Sequence, residues 1–180
     1  GRVFQAKGFP YSLEELVLDH ELVKPLEGGC YVTLRLKSSM YHRFHAPIDC
    51  GVNEVNYISG DTWNVNPIAI KRIEKLYCKN ERAVVQLKTK KEDQDLVIVP
   101  VAAILVASMK FHCLDETLDL QYKGANKLAC SASYQKGDQM GYFQHGSTII
   151  LLAPSSYQVC ETIKSGERIA MGQALLRLVE

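Results

Sequence analysis

Two histidines three positions apart are the first side chains whose chemistry stands out. They are His42 and His45, within the segment Tyr41-His42-Arg43-Phe44-His45-Ala46-Pro47. Histidine exchanges protons readily near neutral pH, so the pair could act as general acid and general base. The pair could also bind a metal, but no carboxylate or third histidine accompanies it at a recognisable spacing, and we predict no metal site. Two ordinary hydrogen-bonded histidines are the third interpretation.

A serine that follows a glycine at the start of an apolar run is the second chemical feature. The segment is Gly141-Tyr142-Phe143-Gln144-His145-Gly146-Ser147-Thr148, and the apolar run is Ile149-Ile150-Leu151-Leu152. Glycine permits strained backbone and close approach of a neighbouring group. The Ser147 hydroxyl could therefore attack the carbonyl carbon of Gly146 if a base removed its proton. Taken alone, the triplet is also typical of a turn that enters a strand.

The elements that must hold these residues follow from the spacing of apolar and turn residues. Ser12 and Glu15 have the spacing of a capping box and predict a helix, and Pro67 suits the first turn of a second helix. Alternating or wholly apolar runs indicate strands over 31–37, 83–87, 96–99, 101–106 and 148–152. We therefore predict a mainly β (α+β) fold with a few short helices.

The C-terminal segment adds to this fold prediction. Its glycines and apolar residues resemble the closing strands of barrel-sandwich folds such as lipoyl and biotinyl carrier domains; they are Gly166, Ile169, Gly172, Leu175 and Leu178. We expect a barrel-sandwich-like β core within a single catalytic domain over residues 1–180. Met109-Lys110 imitates part of a carrier attachment site, but Phe111 stands where that motif has a second methionine.

Composition narrows the range of partners. The formal net charge is +1, so no strong field favours nucleic acid, and we expect none to bind. The most apolar run, 96–109, is interrupted by Pro100 and is too short to span a bilayer, so any membrane contact should be peripheral. The six cysteines include no C-x-x-C pair, which argues against structural zinc.

The two chemical segments together resemble the phosphatidylserine decarboxylase family. In this chain, as in that family, Tyr-His-Arg-Phe-His-Ala-Pro is followed about a hundred residues later by Gly-x-Phe-x-x-Gly-Ser-Thr. The resemblance runs in order through residues 1–152. Its other matching segments are Lys7-Gly8, Tyr11-Ser12-Leu13-Glu14, Tyr57-Ile58-Ser59-Gly60, Val65-Asn66-Pro67 and Asn80-Glu81-Arg82.

The resemblance implies a self-cleaving proenzyme. The cut would fall between Gly146 and Ser147, which would leave a β subunit of residues 1–146 and an α subunit of residues 147–180. Ser147 would become an N-terminal pyruvoyl group, the cofactor that condenses with the substrate amine and accepts the electrons left by departing carbon dioxide. His45 matches the histidine assigned to self-cleavage. His42 matches the one assigned to decarboxylation, where it would protonate the product carbanion.

Two positions depart from the family pattern. His145 precedes Gly146, where many members carry an aliphatic residue. The family's cleavage apparatus includes the aspartate of an Asp-Gly-Arg segment, and this aspartate should immediately precede Gly1. It would orient His45 as the base for Ser147. We therefore expect an unprocessed precursor with Ser147 near His45 and a tight turn at Gly146.

The resulting functional hypothesis is a carboxy-lyase that converts phosphatidylserine to phosphatidylethanolamine. The enzyme would be peripheral, on the cytoplasmic side of a membrane, and the resemblance leaves a homodimer open. A related pyruvoyl decarboxylase acting on a soluble amino acid such as tryptophan, in the cytoplasm, is the alternative. A non-catalytic binding module on a barrel-sandwich scaffold is a third hypothesis. Trp63 could form an amphipathic lip at the membrane or pack in the core.

Overall fold

Antiparallel strands dominate the molecule, as the sequence predicts. The computed structural model describes residues 1–5, 9–103, 108–144 and 147–179. The strands are β1 Arg2–Gln5, β2 Phe9–Ser12, β3 Cys30–Leu36, β4 Arg43–His45, β5 Cys50–Ile58, β6 Arg82–Leu87, β7 Leu96–Ala102, β8 Ser108–Phe111, β9 Thr117–Asp119, β10 Lys127–Tyr134, β11 Gln139–Phe143, β12 Ser147–Ala153, β13 Tyr157–Val159 and β14 Leu176–Leu178. The short α-helices are α1 Leu13–Val17, α2 His20–Val23, α3 Pro67–Arg72 and α4 Leu76–Lys79. The mainly β fold with a few short helices is confirmed.

Two sheets face each other and enclose the main core. The larger has the strand order β10-β5-β6-β7-β12-β3, and the smaller has the order β4-β11-β8-β9. Apolar side chains from both sheets form one buried cluster between them, which we call the inter-sheet core; it includes Phe44, Ala102, Phe111, Phe143 and Ile149. This arrangement leaves the opposite face of the larger sheet to be covered by other elements.

The short helices cover that opposite face. Residues of α1, α3 and α4 form a second buried cluster with β6, β7 and β12. The capping box predicted at Ser12 is present, because its hydroxyl accepts from the Glu15 amide while the Glu15 carboxylate accepts from the Ser12 amide. The second predicted helix also begins at Pro67, with Asn66 as its N-cap. Both helices therefore start where local sequence signals specify.

The sequence analysis expects Pro100 to divide the apolar run into two strands, but the structure has one continuous strand there. β7 continues through it from Leu96 to Ala102, and Pro100 pairs with Ile149 of β12. On its other side, β7 pairs with β6 at Val101 and again from Ile98 onward. Proline has no N–H to donate, so an interruption of the ladder at this point is expected. Residues 104–106 of the predicted second strand lie outside the described residues.

Arg82 ties the helical layer to the larger sheet. Its side chain is 2% exposed, and its guanidinium donates to the carbonyl oxygens of Leu16, Glu15, Cys78 and Asn80 at 2.6–3.2 Å. A guanidinium presents five N–H donors in a fixed planar arrangement, which suits several fixed acceptors at once. Burial lowers the pKa of Arg82 from its ordinary value, and the bound carbonyls offset part of the cost of burying the charge.

We predict that Arg82→Ala lowers the free energy of unfolding by about 3 kcal/mol, because it leaves buried carbonyl groups without donors. Arg82→Lys should recover only part of this loss, since an ammonium cannot reproduce the planar set of donors. Urea denaturation followed by tryptophan fluorescence measures the effect. Arg168→Ala, at an exposed position, is the matched control. Equal unfolding midpoints for the Arg82 and Arg168 variants would contradict the assignment.

Candidate active site

One end of the two-sheet sandwich brings together residues from both chemical segments. β12 begins at Ser147, while β11 ends at Phe143 and β4 begins directly after His42. The Phe143 amide donates to the His42 carbonyl oxygen at 2.9 Å, which extends the β4–β11 pairing to this end. The structure therefore places His42 and Ser147 at the same end of the molecule, on facing sheets.

Ser147 is buried, with its side chain turned toward the smaller sheet. It pairs directly with Ala102 of β7 and Leu36 of β3, both of which pack in or against the inter-sheet core. Directly paired residues share a face of a sheet, so the Ser147 side chain also faces this core. The residue is 1% exposed, and its Oγ has no hydrogen-bond partner among the described residues.

An unpaired buried hydroxyl is unfavourable, because folding removes its water without a replacement. A buried serine whose hydroxyl has no partner suits the role of an unreacted nucleophile. It also suits the precursor of an N-terminal keto group at the start of β12, since none of the described residues forms a hydrogen bond with the hydroxyl.

His42 presents a free ring nitrogen to the interior. Side chains alternate along a strand, and Phe44 lies in the inter-sheet core whereas Arg43 is exposed, so His42 faces inward. Its Nδ1 lies 2.6 Å from the carbonyl oxygen of Met40, which can only accept, so Nδ1 carries a proton. Its buried Nε2 has no partner among the described residues. This nitrogen is available to take up a proton and donate it again.

His45 faces away from this space. In a strand, side chains three positions apart lie on opposite faces, so His42 and His45 cannot both point inward. The His45 Nδ1 donates to the Gly137 carbonyl oxygen at 2.6 Å, and its Nε2 accepts from the Tyr41 hydroxyl at 2.7 Å. The Tyr41 and His45 rings are also stacked, with centroids 5.8 Å apart.

The pairing of β4 with β11 gives the relative positions of the two histidines. His45 pairs with Gln139, and His42 contacts Phe143. A strand rises roughly 3.3 Å per residue, so these two β11 positions are about 13 Å apart. His42 is therefore nearer than His45 to the end where Ser147 lies. The role of His45 as the base for self-cleavage stays a prediction.

Four residues named in the sequence analysis are not among the described residues. Gly146, the other half of the predicted cleavage site, and His145 lie outside the described residues, as do Lys7 and Gly8. The predicted turn at Gly146 therefore stays a prediction, and so does the aspartate expected before Gly1. Gly1 itself lines a small cavity with Gly29 and Leu152, at the end of β12 opposite to Ser147.

Glu81, which the sequence analysis names only within the segment Asn80-Glu81-Arg82 and gives no role, also lies at this end. It is fully buried, and its main-chain oxygen accepts from the amide of Ala102, the direct partner of Ser147. Its Oε1 accepts from the Tyr57 hydroxyl at 2.7 Å, whereas Oε2 has no partner among the described residues. Burial raises the pKa of Glu81 above its ordinary value, and the hydrogen bond from Tyr57 partly opposes this. The available signal was an acid directly before an apolar strand.

Asn80 connects this end to an exposed aromatic loop. Its Nδ2 donates to the carbonyl oxygens of Ala102 and Trp63, and its Oδ1 accepts from the Trp63 amide. The Trp63 indole N–H donates to Asp61, and the side chain is 49% exposed. The interpretation in which Trp63 packs in the core is therefore wrong. The loop exposes Trp63 to solvent at the end of the sandwich where Ser147 lies.

The described residues contain no group of three or more His, Cys, Asp or Glu side chains that could hold a metal ion. The chemistry available on the face of the inter-sheet core is therefore that of buried polar atoms without partners among the described residues, namely His42 Nε2, Glu81 Oε2 and Ser147 Oγ. Thr148 Oγ1 is also buried without a partner there, but it lies on the helical face of β12. His42, Glu81 and Ser147 supply a proton carrier, an acidic group and a nucleophile, which together suit acid–base and nucleophilic steps.

Comparisons with known proteins agree with the motifs. The family model described as "Phosphatidylserine decarboxylase" matches residues 1–177. The phosphatidylserine decarboxylase proenzyme of Brevibacillus brevis is 34% identical over 179 residues, which are 97% of this chain and 64% of that protein. The corresponding proenzyme of Myxococcus xanthus is 37% identical over 153 residues, with 84% of this chain and 54% of that protein covered.

A third relative, the proenzyme of Saccharophagus degradans, is 33% identical over 187 residues, with 98% of this chain and 63% of that protein covered. The chain thus spans between about half and two thirds of the length of these curated relatives. The family match includes His42, Glu81 and Ser147. From this match and the motifs that it contains, we conclude that the chain belongs to the phosphatidylserine decarboxylase family.

Proposed function

We propose that the protein is a pyruvoyl-dependent carboxy-lyase that converts phosphatidylserine to phosphatidylethanolamine. The observation that carries this proposal is Ser147, buried at the start of β12 with its hydroxyl unpartnered and facing the inter-sheet core. Family membership supports the substrate and the reaction, because the curated relatives carry the name phosphatidylserine decarboxylase proenzyme. The word proenzyme in those names also supports self-processing in the relatives.

Maturation would cut the peptide between Gly146 and Ser147, leaving residues 1–146 and 147–180. The shorter fragment would begin with β12, which pairs with β3 on one side and β7 on the other. These two ladders would hold the fragments together without a covalent link. Residue 147 would carry the pyruvoyl group, which supplies an electron sink for the carbon–carbon bond cleavage.

His42 would move the proton that completes decarboxylation. Its Nδ1 is already bonded to the Met40 carbonyl oxygen, which fixes the ring and leaves Nε2 as the exchangeable position. A proton on Nε2 can be delivered to the substrate carbon in place of the lost carboxylate. His45 would act in maturation, and because its ring faces away from Ser147, this role would require the ring to turn inward and give up its contacts with Tyr41 and Gly137.

A lipid substrate would be taken from a membrane surface. Trp63 and Ile68 are 49% and 62% exposed, and the exposed cations Lys71 and Arg72 follow on α3. Tryptophan favours the membrane–water boundary, and cationic side chains are attracted to anionic lipids such as those of the cytoplasmic leaflet. None of the described helices has the length and apolar character needed to cross a bilayer. We therefore propose a peripheral contact through Trp63 and Ile68.

We predict that Ser147→Ala yields an uncleaved and inactive chain that still folds. Alanine fits the buried position but has no oxygen with which to attack Gly146. Denaturing intact mass gives the state of the peptide bond, and carbon dioxide release gives activity. Thr148→Val is the matched control, since it removes the neighbouring hydroxyl from the opposite face of β12 and should still be cleaved. Full decarboxylase activity in Ser147→Ala would end the proposal.

We predict that the two histidines separate by function. His45→Ala should remain uncleaved, whereas His42→Ala should be cleaved and turn over about 10²- to 10⁴-fold more slowly, because proton transfer is lost. Intact mass and carbon dioxide release distinguish the two defects. His112→Ala is the control: its ring contacts Gln139 and Tyr142 and has no assigned role. Identical defects at His42 and His45 would refute their separate roles.

We predict turnover of phosphatidylserine in vesicles and none of free tryptophan. Trp63→Ser combined with Ile68→Ser should lower the rate on vesicles at least severalfold, yet leave the rate on soluble short-chain phosphatidylserine unchanged, because only membrane contact is weakened. Leu178→Ser, at a 44% exposed position on β14, is the control. Turnover of tryptophan alone would favour the soluble amino-acid decarboxylase instead.

A further inference from the structure

A buried carboxylate with an unused oxygen lies next to the strand that holds Ser147. Glu81 is fully buried, and only its Oε1 is accounted for, by the hydrogen bond from the Tyr57 hydroxyl. Oε2 has no partner among the described residues. Leaving an acidic oxygen buried and unpaired is costly, and the cost is repaid only when a donor or a cation meets it.

Strand pairing brings Glu81 and Ser147 into one row. The Glu81 carbonyl oxygen accepts from the Ala102 amide at 2.8 Å, and Ala102 pairs directly with Ser147. With neighbouring strands about 4.8 Å apart, the Cα atoms of Glu81 and Ser147 are separated by about 10 Å. The side chain between them is the methyl group of Ala102, so no bulky side chain of this row separates the two.

Both side chains project from the same face of the larger sheet. Arg82, the next residue, sends its guanidinium to the α1 carbonyl oxygens on the helical side. Glu81 therefore faces the other way, which agrees with its bond to Tyr57, a member of the inter-sheet core. Ser147 faces that core as well. Glu81 Oε2 is thus an acidic atom without a partner among the described residues, on the face where the reaction is proposed.

We propose that Glu81 binds the ammonium group of the substrate and holds its nitrogen beside residue 147. This inference rests on the proposed function, because the substrate of that reaction carries a primary amine next to the carboxylate that is lost. A single carboxylate oxygen in a buried space suits an N–H donor with a positive charge. A metal ion would need more ligands than the described residues bring together.

The same contact prepares the nitrogen for reaction. An ammonium group has no lone pair, so one N–H bond must break before the nitrogen can act as a nucleophile. The proton passes to Glu81 Oε2, which leaves a neutral amine and a neutral carboxylic acid. Burial raises the pKa of Glu81, which makes its carboxylate a better proton acceptor than an exposed one. The Tyr57 hydrogen bond keeps Oε1 in place meanwhile.

The test compares two amines on the purified, cleaved protein. Short-chain phosphatidylethanolamine carries an ammonium group at neutral pH, and its adduct at residue 147 can be trapped with cyanoborohydride. Hydroxylamine is mostly uncharged at neutral pH and reports a reactive carbonyl without needing a carboxylate. The readout is the mass of the fragment that begins at residue 147. It requires no turnover.

We predict that Glu81→Gln raises the phosphatidylethanolamine concentration for half-maximal trapping about tenfold or more, because a charged hydrogen bond is lost at constant side-chain size. Its reaction with hydroxylamine should match that of the unmodified protein. Glu81→Asp keeps the charge on a shorter chain and should lose less trapping than Glu81→Gln. Glu54→Gln, at an exposed acid of β5, is the control. It should trap phosphatidylethanolamine within about threefold of the unmodified protein.

Several outcomes would overturn the inference. Unchanged phosphatidylethanolamine trapping in Glu81→Gln would do so, as would an equal loss with both amines, which indicates a merely structural role. Greater loss in Glu81→Asp than in Glu81→Gln, or the same selective loss in Glu54→Gln, would also count against ammonium binding by Glu81. Absence of any hydroxylamine adduct in the unmodified protein would instead refute the proposed function, and this inference would fall with it.

Discussion

The alternation of side chains along strands is the constraint on which the candidate site depends. Residues two positions apart on a strand lie on the same face, so His42 shares a face with Phe44. Directly paired residues on neighbouring strands also share a face, so Ser147 lies on the same face as Ala102. The same alternation turns His45 outward, where Gly137 and Tyr41 occupy its ring nitrogens. A shift of one residue in β12 would move Ser147 to the helical face, so strand register decides which groups can meet.

Buried polar atoms without partners are the second property of this end of the molecule. Among the described residues, polar atoms of His42, Glu81 and Ser147 are buried on the side of the inter-sheet core and have no hydrogen-bond partner. In a low-dielectric space each of them interacts more strongly with an incoming group than it would in water. By contrast, Arg82 is equally buried but has four carbonyl acceptors, as a residue that serves stability should. The contrast between Arg82 and its neighbour Glu81 is the one expected between a structural charge and the reactive role proposed for Glu81.

Local signals predicted local structure well. The capping box at Ser12 and the helix start at Pro67 depend on groups a few residues apart, and both are confirmed. The continuity of β7 through Pro100 depends on pairing with β12, about fifty residues away in sequence, so no local rule could give it. The position of Glu81 could not be predicted from local signals either. It lies beside Ala102 because of the β6–β7 pairing, whose register is defined only in the folded sheet. The histidine and serine motifs predict the site residues from sequence alone, whereas the faces on which these residues lie follow only from the pairing of the strands.

The placement of β12 as an inner strand of the larger sheet, between β7 and β3, has a kinetic consequence. All seven of its residues are buried, and both of its edges are paired. A chain cut before Ser147 would have an inner strand supplied by a separate polypeptide. After denaturation, its refolding would be a second-order reaction that slows on dilution, whereas the uncut chain would refold in a unimolecular reaction. Efficient maturation of such a protein therefore requires that the chain fold before it is cut.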